Sequence, residues 1–107
     1  MHLDLTGRHA LVGGGSQGIG RAAAIELATL GADVTVIGRD PSRLDAVLIE
    51  LGAIRRGRHH ALHADYADRT ALERIVGGWL TQHPAQILIN NTGGPPPGPI
   101  GSRSERS

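Results

Sequence analysis

Residues 12–20 read Val-Gly-Gly-Gly-Ser-Gln-Gly-Ile-Gly, and Arg-Ala-Ala-Ala-Ile-Glu-Leu-Ala follows without a break. An apolar run (Ala10, Leu11, Val12) thus enters a glycine-rich turn that opens straight into a helix pattern. Such a junction suits a phosphate. Glycines let the backbone come close to the anion, and the free N–H groups of a helix N-terminus point at it. Two registers overlap, Gly13-x-Gly15-x-x-Gly18 and the tighter Gly14-x-x-x-Gly18-x-Gly20. A bare glycine pattern is weak evidence, since any glycine-rich turn can show it. Here a strand pattern precedes it, a helix follows, and a second strand ends about 20 residues further on, which is the context of a dinucleotide-binding loop. A P-loop is excluded, because no Lys follows the glycines; all 11 basic side chains of the chain are Arg.

The second position with chemistry is the end of strand two, Ile37-Gly38-Arg39. A site for NAD or S-adenosylmethionine normally places a carboxylate there, against the ribose hydroxyls. Gly38 instead leaves room, and Arg39 can fork onto a 2′-phosphate, so NADP is favoured over NAD. The alternative is a solvated loop arginine with Asp40 beside it. His59-His60-x-x-His63 offers metal-ligand types, but on a strand His59 and His63 stand about 13 Å apart and His60 points the other way, so no ion is expected. Arg55, Arg56 and Arg58 read as a solvated turn, and Pro95-Pro96-Pro97 as a loop or a polyproline ligand.

The elements that must position these residues alternate strand and helix. Strands are expected at about 8–12, 33–38, 59–64 and 86–90. The first helix spans about 18–30, with Ile19, Ala23, Leu27 and Leu30 on one face and Gly31 as its stop. The second is capped by Asp40-Pro41, carries Leu44, Val47, Leu48 and Leu51, and ends at Gly52. The third starts near Asp68 or Thr70, where Thr70-Ala71-Leu72-Glu73 fits a capping box. It carries Leu72, Ile75, Val76, Trp79 and Leu80 and stops at Pro84. This order predicts an α/β fold, a Rossmann-like doubly wound parallel sheet of four strands in order 3-2-1-4 with three helices. Right-handed crossovers put the first two helices on one face and the third on the other. The crevice between strands one and four is the expected ligand site.

Composition agrees with that class. A chain of 107 residues holds one domain, and such a domain buries roughly two-thirds of its unfolded surface. Aromatics are limited to Tyr66 and Trp79, so the core must be Val, Ile, Leu and Ala, as in parallel sheets. A net charge of +1 with interspersed signs gives no nucleic-acid footprint. Zero Cys excludes a disulfide scaffold and is compatible with the cytoplasm. Neither a signal peptide nor a membrane span is expected. The dinucleotide-binding portion is expected over 1–99, with residues 100–107 a disordered tail.

The Gly14-x-x-x-Gly18-Ile19-Gly20 register, Asp65 after strand three and Asn90-Asn91-Thr92-Gly93 after strand four resemble the short-chain dehydrogenase/reductase family. The resemblance covers about residues 5–99. It implies that Gly14, Ser16, Gln17, Gly18, Ile19 and Gly20 line the pyrophosphate and ribose. It further implies that Asp65 holds the adenine amino group beside the Tyr66 backbone, and that Asn91, Thr92 and Gly93 lie against the ribose. The Asn-Asn-Thr-Gly-Gly-Pro variant is similar to a subgroup of oxidoreductases and 3-oxoacyl-carrier-protein reductases. Some family features are missing. Gly13 replaces the usual threonine, and residues after about Ile100 do not resemble the family's next helix. The catalytic Ser and Tyr-x-x-x-Lys are absent: Tyr66 has Thr70 four residues on, and there is no Lys. A tyrosine needs such a partner to exchange protons near neutrality.

The expectation is the NADP(H)-binding portion of a short-chain oxidoreductase, truncated naturally, by a frameshift or by a premature stop, and inactive alone. A non-catalytic nucleotide-binding or regulatory module associating with itself or a full-length homologue, or a decayed gene product, are the alternatives. The uncovered fourth strand is expected to promote association.

Overall fold

The computed structural model describes residues 4–14, 18–65 and 67–90. The elements run β1 (His9–Gly13), α1 (Gly18–Thr29), β2 (Asp33–Gly38), α2 (Pro41–Ile54), β3 (His60–His63), α3 (Arg69–Gln82) and β4 (Ile87–Asn90). All strand pairs are parallel, and the sheet order is β3-β2-β1-β4, as the sequence predicts. The expected boundary at residue 99 and the tail lie outside the described residues.

Two apolar layers sandwich the sheet. On one face Val12, Val34 and Val36 meet Ala24 and Ala28 of α1 and Leu44, Val47 and Leu51 of α2. On the other, Leu11, Ile37 and Ala64 meet Leu72, Ile75, Val76, Trp79 and Leu80 of α3. The helices therefore divide two against one. The first layer is closed and the second is thin, for no residue of α3 is fully buried.

Three local expectations are corrected. The buried stripe of α1 is Gly20, Ala24 and Ala28, not the larger residues, and Ile19 is 78% exposed. Small residues let the helix axis come close to the valine layer, which large ones on that face would hold off. Helix α2 continues past Gly52 to Ile54, because Gly52 does not take the left-handed conformation that stops a helix. At α3 the cap is Asp68, whose carboxylate accepts the Ala71 N–H at 3.0 Å. Thr70 is inside the first turn, and Glu73 faces Arg69 at 3.9 Å instead of closing a capping box. The Asp40 cap and Pro41 at the start of α2 stand as expected, and Gly31 has φ +107° after α1.

The lower ends of the strands carry a ring cluster. Trp79 stacks on His83 at 3.7 Å between centroids and meets His60 edge-on at 4.9 Å. The buried Thr35 hydroxyl donates to His9 Nε2 at 2.7 Å, while His9 Nδ1–H donates to the Pro84 carbonyl at 3.1 Å. Burial pushes the His60 pKa down, and charge on His83, His9 and His59 would push the same way, against Asp33. Strand β4 pairs with β1 alone among the described residues, and Leu88 on it is 70% exposed.

Candidate functional site

The upper ends of β1, β2 and β3 are aligned by register, Gly13 with Ile37 and Gly38 with His63. Beyond the ladder the Gly14 N–H donates to the Ile37 carbonyl at 2.9 Å, and the Ala64 N–H to the Gly38 carbonyl at 2.8 Å. Gly14, Gly38–Arg39 and His63–Asp65 are thereby gathered along one edge, where open parallel sheets bind ligands.

At that edge the chain turns on glycine. Gly14 has φ +72° and Gly18, the first residue of α1, has φ +62°, a region that side chains with a Cβ rarely enter. Among the described residues a Cβ on Gly18 would meet nothing within 4 Å, so its need for glycine is conformational. Gly20, in the first turn of α1, is buried with Ala24 and Ala28. Ile19 projects outward. Ser16, Gln17, Tyr66, Asn91, Thr92 and Gly93 lie outside the described residues.

Arg39 is exposed, and its guanidinium has no ion pair or hydrogen bond among the described residues. The neighbouring Asp40 is turned away to a different task. Its carboxylate accepts the N–H groups of Ser42 (3.0 Å) and Arg43 (3.4 Å) and faces Arg43 Nε at 3.5 Å. With Asp40 engaged, the Arg39 guanidinium keeps its donors uncommitted among the described residues, and a guanidinium can hold an anion by charge-assisted hydrogen bonds. Asp65 is also exposed. One oxygen accepts the Ala67 N–H at 2.9 Å, and the other has no partner among the described residues, so it can accept from an amino group. The edge thus offers a glycine turn, a helix N-terminus, one cation and one acceptor, a set that fits a phosphorylated nucleotide.

The three histidines of 59–63 diverge. His59 accepts the Val34 N–H at 3.1 Å, His60 joins the ring cluster, and His63 Nε2–H donates to the Arg39 carbonyl at 2.9 Å. No group of three ligating side chains is assembled among the described residues. The sequence reading weighed His63 only as a metal ligand and missed its contact with Arg39. No local sequence pattern marks that contact, which depends on Gly38 pairing opposite His63. The Arg55 guanidinium does not stand free, since it faces Asp33 at 3.3 Å.

An open cleft of about 360 Å³ lies between α3, β1 and β4, lined by Leu11, Val76, Leu80 and Leu88, with Gly13 and Asn90 near its upper end. None of Arg39, His63 and Asp65 reaches it. Among the described residues no helix is long and apolar enough to cross a membrane.

The family model for short chain dehydrogenase matches residues 8–107. The "Probable oxidoreductase" of Streptomyces lividans is 36% identical over 91 residues, 85% of this chain and 30% of that protein. A metagenomic short-chain oxidoreductase solved in complex with NADP superposes with a TM-score of 0.74 at 36% identity, over 84% of this chain and 41% of its own. L-Sorbose reductase from Gluconobacter frateurii, solved with NADPH and L-sorbose, gives 0.79 at 27% identity, over 97% and 40%. The chain spans about a third of the length of the curated relatives it matches.

Proposed function

The chain belongs to the short chain dehydrogenase family, and from that premise we propose that its 107 residues bind NADP(H) as one portion of an oxidoreductase. The observation that carries this reading is the Arg39 guanidinium beside Gly38, which has no ion pair or hydrogen bond among the described residues, with the adjacent Asp40 engaged at the α2 cap. Relatives solved with NADP and NADPH support it. In this reading Arg39 forks onto the 2′-phosphate and Asp65 accepts from the adenine amino group. The Tyr66 backbone adds a contact beside Asp65, while Gly14, Ser16, Gln17, Gly18, Ile19 and Gly20 line the pyrophosphate and ribose on the loop and the α1 N-terminus, and Asn91, Thr92 and Gly93 lie against the ribose. The bound dinucleotide would supply hydride to a carbonyl or take it from an alcohol. These residues bind and orient it. No group among the 107 residues is a Tyr-x-x-x-Lys pair, so no carbonyl-dependent turnover is expected of this stretch by itself. A cytoplasmic location belongs to the same reading, as does self-association through β4 or pairing with a longer homologue, supported by the exposed Leu88.

Calorimetric titration with NADP and NAD tests the reading. NADP should bind about 10- to 100-fold more tightly, the size of a charge-assisted hydrogen-bonded pair. Arg39→Ala should remove most of that preference. Equal affinity of the unmutated chain for both dinucleotides refutes it.

A further inference from the structure

The turn between β2 and α2 is tied down at each successive residue. The Gly38 carbonyl accepts the Ala64 N–H at 2.8 Å, and the Asp40 carbonyl accepts the Leu44 N–H at 3.0 Å. The Asp40 side chain caps α2, and Pro41 holds the backbone before it extended, at φ −106° and ψ 106°. Arg39 lies between these anchors, past the last residue of β2 and before the first turn of α2. Among the described residues its carbonyl has neither a ladder nor a helix partner. The His63 side chain supplies one, with Nε2 2.9 Å from the Arg39 oxygen across 24 residues of sequence. A carbonyl only accepts, so Nε2 carries the proton.

Resting on the NADP reading above, we propose that His63 is a positioning residue for 2′-phosphate selection: its Nε2–H fixes the Arg39 peptide and thereby aims the guanidinium. Fixing the backbone at Arg39 removes conformers that the side chain would otherwise surrender on binding, which is the gain that preorganisation gives. Both side chains are exposed and the bond spans a surface turn, so the contact contributes to aim more than to global stability.

The full chain is titrated calorimetrically with 2′,5′-ADP and with 5′-AMP, which differ only in the phosphate that Arg39 is to read. His63→Leu removes the donor and should weaken 2′,5′-ADP about three- to tenfold, the size of one net hydrogen bond, while 5′-AMP changes less than about twofold. His63→Gln, which keeps an N–H at similar reach, should restore most of the loss. In an Arg39→Ala background His63→Leu should have no further effect on 2′,5′-ADP. The inference is overturned if the unmutated chain prefers 2′,5′-ADP and His63→Leu leaves that preference intact. Equal weakening of both ligands, or a full His63→Leu effect without Arg39, overturns it as well. An unmutated chain that binds the two ligands equally overturns the NADP reading itself, and this inference with it.

Discussion

Asp40 is the one acidic side chain adjacent in sequence to Arg39, and its two roles can be separated by substitution. Its carboxylate accepts from Ser42 and Arg43 N–H groups, so Asp40→Ala leaves first-turn donors of α2 without a partner and should cost about 1 kcal/mol. Asp40→Ser keeps an acceptor of similar capping strength and should cost under about 0.5 kcal/mol. The exposed pair with Arg43, 3.5 Å apart, adds little to either figure. Both variants remove a negative charge from the vicinity of the proposed 2′-phosphate.

With a separation of about 8 Å in water, one unit charge against a nearly doubly charged phosphate is worth about 1 kcal/mol, or about fivefold in affinity. At about 0.15 M salt the Debye length is also about 8 Å, and the gain falls to roughly twofold. Asp40→Ser should therefore bind 2′,5′-ADP more tightly than the unmutated chain by that salt-dependent factor, with 5′-AMP less affected. Asp40→Ala should lose stability in urea while also gaining affinity, provided the first turn of α2 stays formed at the assay temperature. Calorimetry at two salt concentrations, with urea melts of each variant, measures both quantities. Tightening that ignores salt, or weaker 2′,5′-ADP binding by the stable Asp40→Ser variant, would refute the placement of the phosphate at Arg39.

Two further outcomes follow from the opposite end and edge of the sheet. Because burial holds the His60 pKa down, the unfolded chain takes up this proton first; the stability due to neutral His60 is complete above about pH 6.5 and is lost as pH falls towards the folded value. Urea midpoints should drop between about pH 7.5 and about pH 5.5 and drop less in His60→Phe, and equal drops in both chains would exclude His60 as the cause. Leu88, 70% exposed on the edge strand, should promote self-association, so Leu88→Lys should shift sedimentation towards monomer and raise solubility. A distribution unchanged by that substitution would clear β4 of responsibility.

The strand order was legible because four apolar runs separated by three helical patterns leave few right-handed parallel topologies. The α2 start was legible for a local reason, since Asp-Pro both accepts and fixes φ. The packed face of α1 was not, because helical periodicity gives weight to large residues, whereas close approach to a valine layer selects Gly20, Ala24 and Ala28. At α3 two capping acceptors stood two residues apart with the same i to i+3 reach, so the local pattern did not separate them, and the Asp68 carboxylate is the one that meets a backbone N–H, that of Ala71.

The candidate site divides in the same way. Arg39 could be found from sequence because its meaning depends on being at the end of a strand that follows a glycine loop. That Asp40 does not neutralise it could not be read, for the same two residues admit a local ion pair, and only the α2 cap shows where the carboxylate goes. His63 was further from view. Its contact with Arg39 exists because β2 and β3 pair with Gly38 opposite His63, and a shift of one residue in that register would turn the imidazole to the other face of the sheet. Register is set jointly by Val34, Val36 and Ile37 against Ala61, Leu62 and the helices that cover them, so no local pattern around residue 63 contains it. The proposed specificity of the edge therefore rests on core packing, and if that proposal holds, substitutions in the valine layer that slip β3 should degrade 2′-phosphate selection even though they leave Arg39 and His63 unchanged.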